Sequence, residues 1–170
     1  MKQVPYTEPL KKVIDGEVFI RDSFGCYTPE SFLTPKIRIC KPEDALPAVS
    51  RIRNSQQEIF MVLCLNACHE LITAIEVTKG LANKSQTHPR ETFREAISVN
   101  AVSIMVAHNH PSGNLEASVD DLFCTRRLAE AGRIVGIPLI DHLIVCSTGF
   151  ISLRERFPDY FTNTSLKLAA

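Results

Sequence analysis

Residues 101–136 read AVSIMVAHNHPSGNLEASVDDLFCTRRLAEAGRIVG. Ala101–Ala107 is a short apolar run with the character of a buried strand. HNHPSGNLEAS follows as a loop, punctuated by Pro111 and Gly113. Val119–Val135 then reads as a helix, with Leu122, Leu128, Ala129 and Val135 as its apolar positions and Gly136 as its C-terminal stop. Beyond it, Pro138–Cys146 reads as a last strand, followed by a tail. Upstream, Thr87–Asn100 reads as a helix with Pro89 at an early position and Phe93, Ala96, Ile97 and Asn100 on one face. Residues 57–66 (QEIFMVLCLN) and 70–78 (ELITAIEVT) are strand-like, and the short link Ala67-Cys68-His69 between them suggests a hairpin. A helix is expected over Pro42–Arg53, interrupted by Pro47, and a short strand over 36–40 (KIRIC). Residues 1–35 hold four prolines and no sustained periodicity, so they read as an irregular N-terminal extension. The order of strands, helix, strand, helix, strand predicts an α/β or α+β fold with a mixed sheet. The domain is placed at residues 36–160, with a C-terminal tail over 161–170.

The 170 residues suit one domain with a sizeable core. Apolar residues make up 45% and charged residues 22%, the balance of an ordinary globular protein. No run of 18 apolar residues occurs, which argues against a membrane span. The N-terminal MKQVPYTEPLKK lacks an apolar signal core, so retention in the cytoplasm is the expectation. Nineteen basic and nineteen acidic residues give zero net charge. The densest basic patches are Lys11-Lys12, Arg51 with Arg53, and Arg126-Arg127, each read as a solvated face. Nucleic acid stays open as a partner, but charge does not call for it. Six cysteines, Cys26, Cys40, Cys64, Cys68, Cys124 and Cys146, form no CxxC pair and read as structural thiols.

The chemistry is concentrated in His108-Asn109-His110-Pro111-Ser112-Gly113, with Ser118 and Asp121 beyond. Alternation along a strand turns His108 and His110 to the same side. Pro111 and Gly113 turn the chain, and Asp121 falls in the first turn of the following helix, pointing back. Two imidazoles and one carboxylate make three ligands, and zinc–ligand distances of about 2.0–2.2 Å are expected. A water in a fourth position would make such a site catalytic. Ser118-x-x-Asp121 also resembles a helix capping signature, so Ser118 can cap the helix and line the site. Zinc lowers the pKa of a coordinated water from about 15.7 to near 7, and a general base must then move the proton. Glu58 heads an apolar strand and shares a face with Phe60, Val62 and Cys64. A charged strand start is equally an ordinary solvated position, and Glu70, Glu76, Glu91, Glu95 and Glu116 are alternatives.

Other chemistries lack their signatures. His69-Glu70 opens an HExxH pattern, but Thr73 stands where the second histidine belongs. PCxxC, GxSxG, GxGxxG and P-loop strings do not occur. His142 reads as a hydrogen-bonded structural histidine, with Asp141 as a candidate to support the metal ligands from behind.

In HxHPSGx(4)SxxD, and in QEIFMVLCLN, HPRETFREAISVNA, SIMVAHNHPSGNLEASVDDLFCTRRL and GIPLIDHLIV, the chain resembles the RadC-like branch of the JAB/MPN metalloproteases, the bearers of the JAMM motif. The likeness covers about residues 57–146 and extends into FISLRER. It implies a mixed sheet sandwiched by helices, in a cytidine-deaminase-like arrangement. It implies His108, His110 and Asp121 as zinc ligands, Ser118 as the stabiliser of a tetrahedral oxyanion, and Glu58 as the catalytic acid/base. One departure matters. RadC-like proteins commonly carry an N-terminal helix-hairpin-helix element, and residues 1–50 show no such repeated hairpin.

Two functions are therefore expected. The first is a zinc metallopeptidase cleaving a peptide or isopeptide bond of a peptide or protein substrate. The second is a non-catalytic binding module in a DNA-repair, replication or mobile-element complex. Exposed strand edges could also pair in a dimer.

Overall fold

Strand β4 (Glu58–Leu65) is buried at every residue after Glu58, and β6 (Ser103–Asn109) is buried throughout. Such continuous apolar runs belong in the middle of a sheet covered on both faces. The computed structural model describes residues 11–14, 17–21, 27–29, 37–80 and 87–161. It places these strands in a five-stranded sheet of order β5-β4-β6-β7-β8, with β5 at Leu71–Gly80, β7 at Leu139–Cys146 and β8 at Gly149–Ser152. The β6–β7 pair is parallel and the other pairs are antiparallel, so the sheet is mixed, as expected.

The alternation of side chains divides the core in two. On one face Ile59, Met61, Leu63, Leu65, Met105, Ala107, Leu143 and Val145 pack under the segment 42–52 through Ala45, Val49 and Ile52. On the other face Phe60, Val62, Cys64, Ile104 and Val106 pack under Phe93 and Ala96 of one helix and Leu128 of a second. The sheet is therefore sandwiched by helical segments, in agreement with the expected fold class.

Several expectations need correction. Pro42–Arg53 is not one helix. It is a 3-10 turn (Pro42–Ala45), a single α turn α1 (Leu46–Val49) and a second 3-10 turn (Ser50–Ile52). Pro47 has no N–H to continue a regular ladder. KIRIC contributes an isolated bridge, Arg38 to Glu70, rather than a strand. Helix α2 spans Pro89–Ser98, and Ile97 is 59% exposed. Asn100 lies beyond its end with φ 55. The buried residues of α2 are Thr92, Phe93 and Ala96.

Helix α3 has the expected bounds, Val119–Val135, and closes on Gly136 at φ 81. Its buried stripe is Thr125, Leu128 and Gly132, whereas Val135 is exposed. Strand β6 runs two residues further than read and takes in His108 and Asn109. Cys146 does not end the sheet. A turn at Ser147-Thr148 leads into β8 and a short helix α4 (Leu153–Arg156), whose Leu153 is fully buried.

The chain divides into two compact units, Met1–Lys36 and Ile37–Ala170. The stretch read as irregular holds a three-stranded antiparallel sheet of β1 (Lys11–Ile14), β2 (Glu17–Arg21) and β3 (Tyr27–Pro29). The pairing Ile14 to Glu17 leaves Asp15-Gly16 between the strands, a strong two-residue hairpin signal that the prolines nearby obscured. The tail at 162–170 lies outside the described residues. Among the described residues, no helix is long and apolar enough to cross a membrane.

Candidate metal centre

Register sets the site. His108 pairs with Phe60 on β4 and with Ile144 on β7, which puts it on the face covered by α2 and α3. His110, two residues on, returns to that face just past the strand. There its ring lies 4.9 Å from that of His108, centroid to centroid. Helix α3 then delivers Asp121 from its first turn. Ser118 caps this helix: its hydroxyl accepts from Asp121 N at 3.1 Å and donates to Asp121 Oδ2 at 2.7 Å, while its own N–H also reaches Oδ2 at 2.7 Å. The bonds that cap the helix thus also aim the Asp121 side chain.

Among the described residues, His108, His110 and Asp121 form the one group of three or more titratable side chains able to hold a metal ion. His108 Nε2 lies 3.0 Å from His110 Nε2 and 3.1 Å from Asp121 Oδ1, and His110 Nε2 lies 3.5 Å from Asp121 Oδ2. Nitrogen and oxygen ligands at about 2.0–2.1 Å from a tetrahedral zinc stand about 3.3–3.4 Å from one another. The observed triangle is close to that spacing. Donor chemistry agrees. His110 Nδ1 lies 2.6 Å from the Asn114 carbonyl oxygen. A carbonyl only accepts, so Nδ1 carries a proton and Nε2 is left for the inner side. The residues fit a divalent cation of the zinc type.

The electrostatics carry the same signature. Burial pushes the Asp121 carboxyl up, but hydrogen bonds from His108, His110 and Ser118 outweigh it and hold the group far below the ordinary carboxylate range. The hydrogen bond to Asp121 raises His110, against the opposing effect of burial. These are the shifts of a carboxylate standing among imidazoles, and a cation in the same place would hold Asp121 ionised in the same way.

Glu58 opens β4 beside this site. Continuing the antiparallel pairing of Phe60 with His108 by two residues along each strand brings Glu58 level with His110. Its charge contributes to raising His110. None of the competing glutamates is so placed by the pairing. Glu70 bonds Asn66, Glu76 pairs with Arg51, Glu91 with Arg90, Glu95 with Arg94, and Glu116 with Arg156.

Four further residues build the centre, and the sequence reading did not single them out for it. Asn109 points to the opposite face, fully buried. Its Oδ1 accepts from Ile59 N at 2.8 Å and its Nδ2 donates to the carbonyls of Ser55 and Gln57 at 3.2 and 3.1 Å. Two of these bonds bracket Glu58. His142, buried on β7, puts Nε2 2.8 Å from His108 Nδ1. Thr125 puts Oγ1 2.6 Å from His142 Nδ1 and donates to the Asp121 carbonyl at 2.7 Å. Phe60 lies nearly parallel to the His108 ring at 6.1 Å and meets His142 edge-on at 5.6 Å.

Asp141 does not support a ligand. Alternation along β7 turns it to the other face, where it accepts from His142 N, Ser152 Oγ and Arg154 N. The signals that could have found the others were weak ones: Thr125 stands one helical turn after Asp121, and His142 shares a strand face with Ile144.

Comparison with known proteins identifies the family. The chain matches the RadC-like JAB domain family over residues 39–157. A UPF0758 protein of Clostridium perfringens is 43% identical over 122 residues, covering 71% of this chain and 54% of the relative. A UPF0758 protein of Picosynechococcus sp. is 47% identical over 122 residues, covering 71% and 50%. One from Methanospirillum hungatei is 46% identical, covering 71% and 54%. The chain thus spans about half the length of these curated relatives. A match of this extent, over residues 39–157, places the chain in the RadC-like JAB domain family.

Proposed function

We propose that this domain is a zinc-dependent hydrolase of peptide or isopeptide bonds. The observation that supports it is the convergence of His108 Nε2, His110 Nε2 and the Asp121 carboxylate at mutual distances of 3.0, 3.1 and 3.5 Å. A zinc ion held by these three groups supplies Lewis acidity, activating water and polarising the substrate carbonyl.

The chain's own residues supply the rest. Glu58, level with His110, accepts a proton from the attacking water and returns it to the departing amine. Ser118 turns its hydroxyl proton from Asp121 to the oxyanion that forms at the substrate carbonyl, while its main-chain N–H keeps Asp121 Oδ2 in place. Phe60 and the apolar face around it exclude water from the far side of His108. The substrate is a peptide or a protein.

The test begins with elemental mass spectrometry on protein purified without a chelator or a metal-affinity tag. Near one zinc per chain is expected, with loss in Asp121→Ala. A peptide and isopeptide library is then offered to the wild type and to Glu58→Gln. Turnover lost in Glu58→Gln, with zinc retained, supports the assignment. Full turnover in that variant would overturn the role of Glu58. Zinc bound with no hydrolysis of any substrate would turn the reading to a binding module.

A further inference from the structure

Behind the ligand His108 runs a chain of three short polar contacts, and their donors and acceptors can be counted. Thr125 Oγ1 lies 2.7 Å from the Asp121 carbonyl oxygen. Two oxygens at that distance need a proton between them, a carbonyl has none, and a hydroxyl has one. The Thr125 proton is thereby committed to Asp121. Its oxygen also lies 2.6 Å from His142 Nδ1, so that contact draws its proton from the imidazole. His142 is fully buried, edge-on to Phe60, where a charged ring is costly. A neutral ring with its proton on Nδ1 presents a lone pair at Nε2. That lone pair lies 2.8 Å from His108 Nδ1, which must then carry a proton.

We infer that Thr125 and His142 are positioning residues of the metal centre, a relay that fixes the proton of His108 on Nδ1 and leaves its Nε2 lone pair facing the cation. The inference rests on the metal reading above and deepens it. The relay is closed through one residue. Asp121 offers its side chain to the site and its main-chain carbonyl to Thr125, so the same helical turn sets both the carboxylate and the His108 tautomer. Ligand histidines commonly give their second N–H to a carboxylate, a carbonyl or water. Here an acceptor imidazole takes that place, and its own proton is anchored on the helix that carries the third ligand.

The test uses the whole chain loaded with zinc. Long-range proton–nitrogen correlation spectra of the imidazole rings report the tautomers without any substitution. His108 and His142 are both expected to be protonated at Nδ1. In parallel, zinc affinity is measured by chelator competition for wild type, Thr125→Val, Thr125→Ser and His142→Phe. Thr125→Val and His142→Phe should weaken zinc about 10–100-fold, the range for lost partners behind a metal ligand. Thr125→Ser, which keeps the hydroxyl, should stay close to wild type. A proton on Nε2 of His142, or Thr125→Val binding zinc like wild type, would overturn the relay while leaving the metal site standing. A wild-type chain that takes up no zinc would overturn the metal reading and the relay together.

Discussion

Ile59 donates its main-chain N–H to the side-chain oxygen of Asn109 at 2.8 Å, across the end of the β4–β6 ladder. The orientation of the amide is unambiguous, because its nitrogen meets two carbonyls, Ser55 and Gln57, that can only accept. Asn109 therefore stitches the segment before β4 to the strand that carries His108 and leads into His110, and it holds the main chain on both sides of Glu58. Asn109→Ala should cost about 2–4 kcal/mol, since the bonding groups it leaves behind are part-buried or buried. Asn109→Asp should cost at least as much, because two of its three bonds need a donor. Denaturant unfolding checks both, and a loss below about 1 kcal/mol for Asn109→Ala would show that water replaces the amide.

Gly132 gives a prediction against helix propensity. In an exposed helix interior, replacing glycine by alanine stabilises by about 0.5–1 kcal/mol. Here a Cβ would stand 2.5 Å from the Ile137 carbonyl oxygen and 3.2 Å from both Leu139 N and the Phe93 ring. The loop from α3 into β7 passes over this position. Gly132→Ala should lower stability by about 1–3 kcal/mol through overpacking. A rise in Tm on thermal unfolding would mean that the loop yields at little cost.

The grouping of His108, His110 and Asp121 was legible because each part obeys a local rule. His108 and His110 share a side through the period of two, and Asp121 follows a cap residue by three. The sandwiched mixed sheet was legible from the order of apolar runs for the same reason. Asn109, Thr125 and His142 were not legible, because their partners lie across the sheet and across layers. Nothing in the sequence states that β7 lies beside β6, and only that adjacency brings His142 behind His108. Asp141 drew attention by standing next to a histidine, yet alternation sends the two side chains to opposite faces. The short strands β1–β3 were hidden among prolines, and β8 was missed because it is four residues long.

Asp141 sits buried with three donors around its carboxyl, from His142, Ser152 and Arg154. Burial is the largest influence and raises its pKa, against the lowering effect of those bonds. A carboxyl raised in the folded state binds its proton more tightly there than in the unfolded chain. Its contribution therefore favours folding at low pH and is lost as pH rises from the ordinary aspartate value, about 3.9, through the raised one. Asp141→Asn should flatten the pH dependence of stability across that window while keeping two of the three bonds. Asp141→Ala, which strands all three donors, should cost about 2–4 kcal/mol at neutral pH. An unchanged pH slope in Asp141→Asn would assign the titration to another group.

The metal centre should reverse the pH dependence of its own stabilisation. In chelator-treated protein the hydrogen bond to Asp121 raises His110, so the stability that this pair contributes is present below the ordinary histidine value, about 6.5. It is lost as pH rises through the raised folded value. Zinc has the opposite requirement, because it binds imidazole only after the proton has left. Its contribution grows with the ratio of free zinc to Kd, and Kd improves as protons stop competing. The shift in Tm produced by excess zinc should therefore be small near about pH 5 and large near about pH 8. Thermal unfolding with and without zinc across this range decides it. Equal zinc-induced shifts at both ends would mean that zinc is held by groups other than His108 and His110.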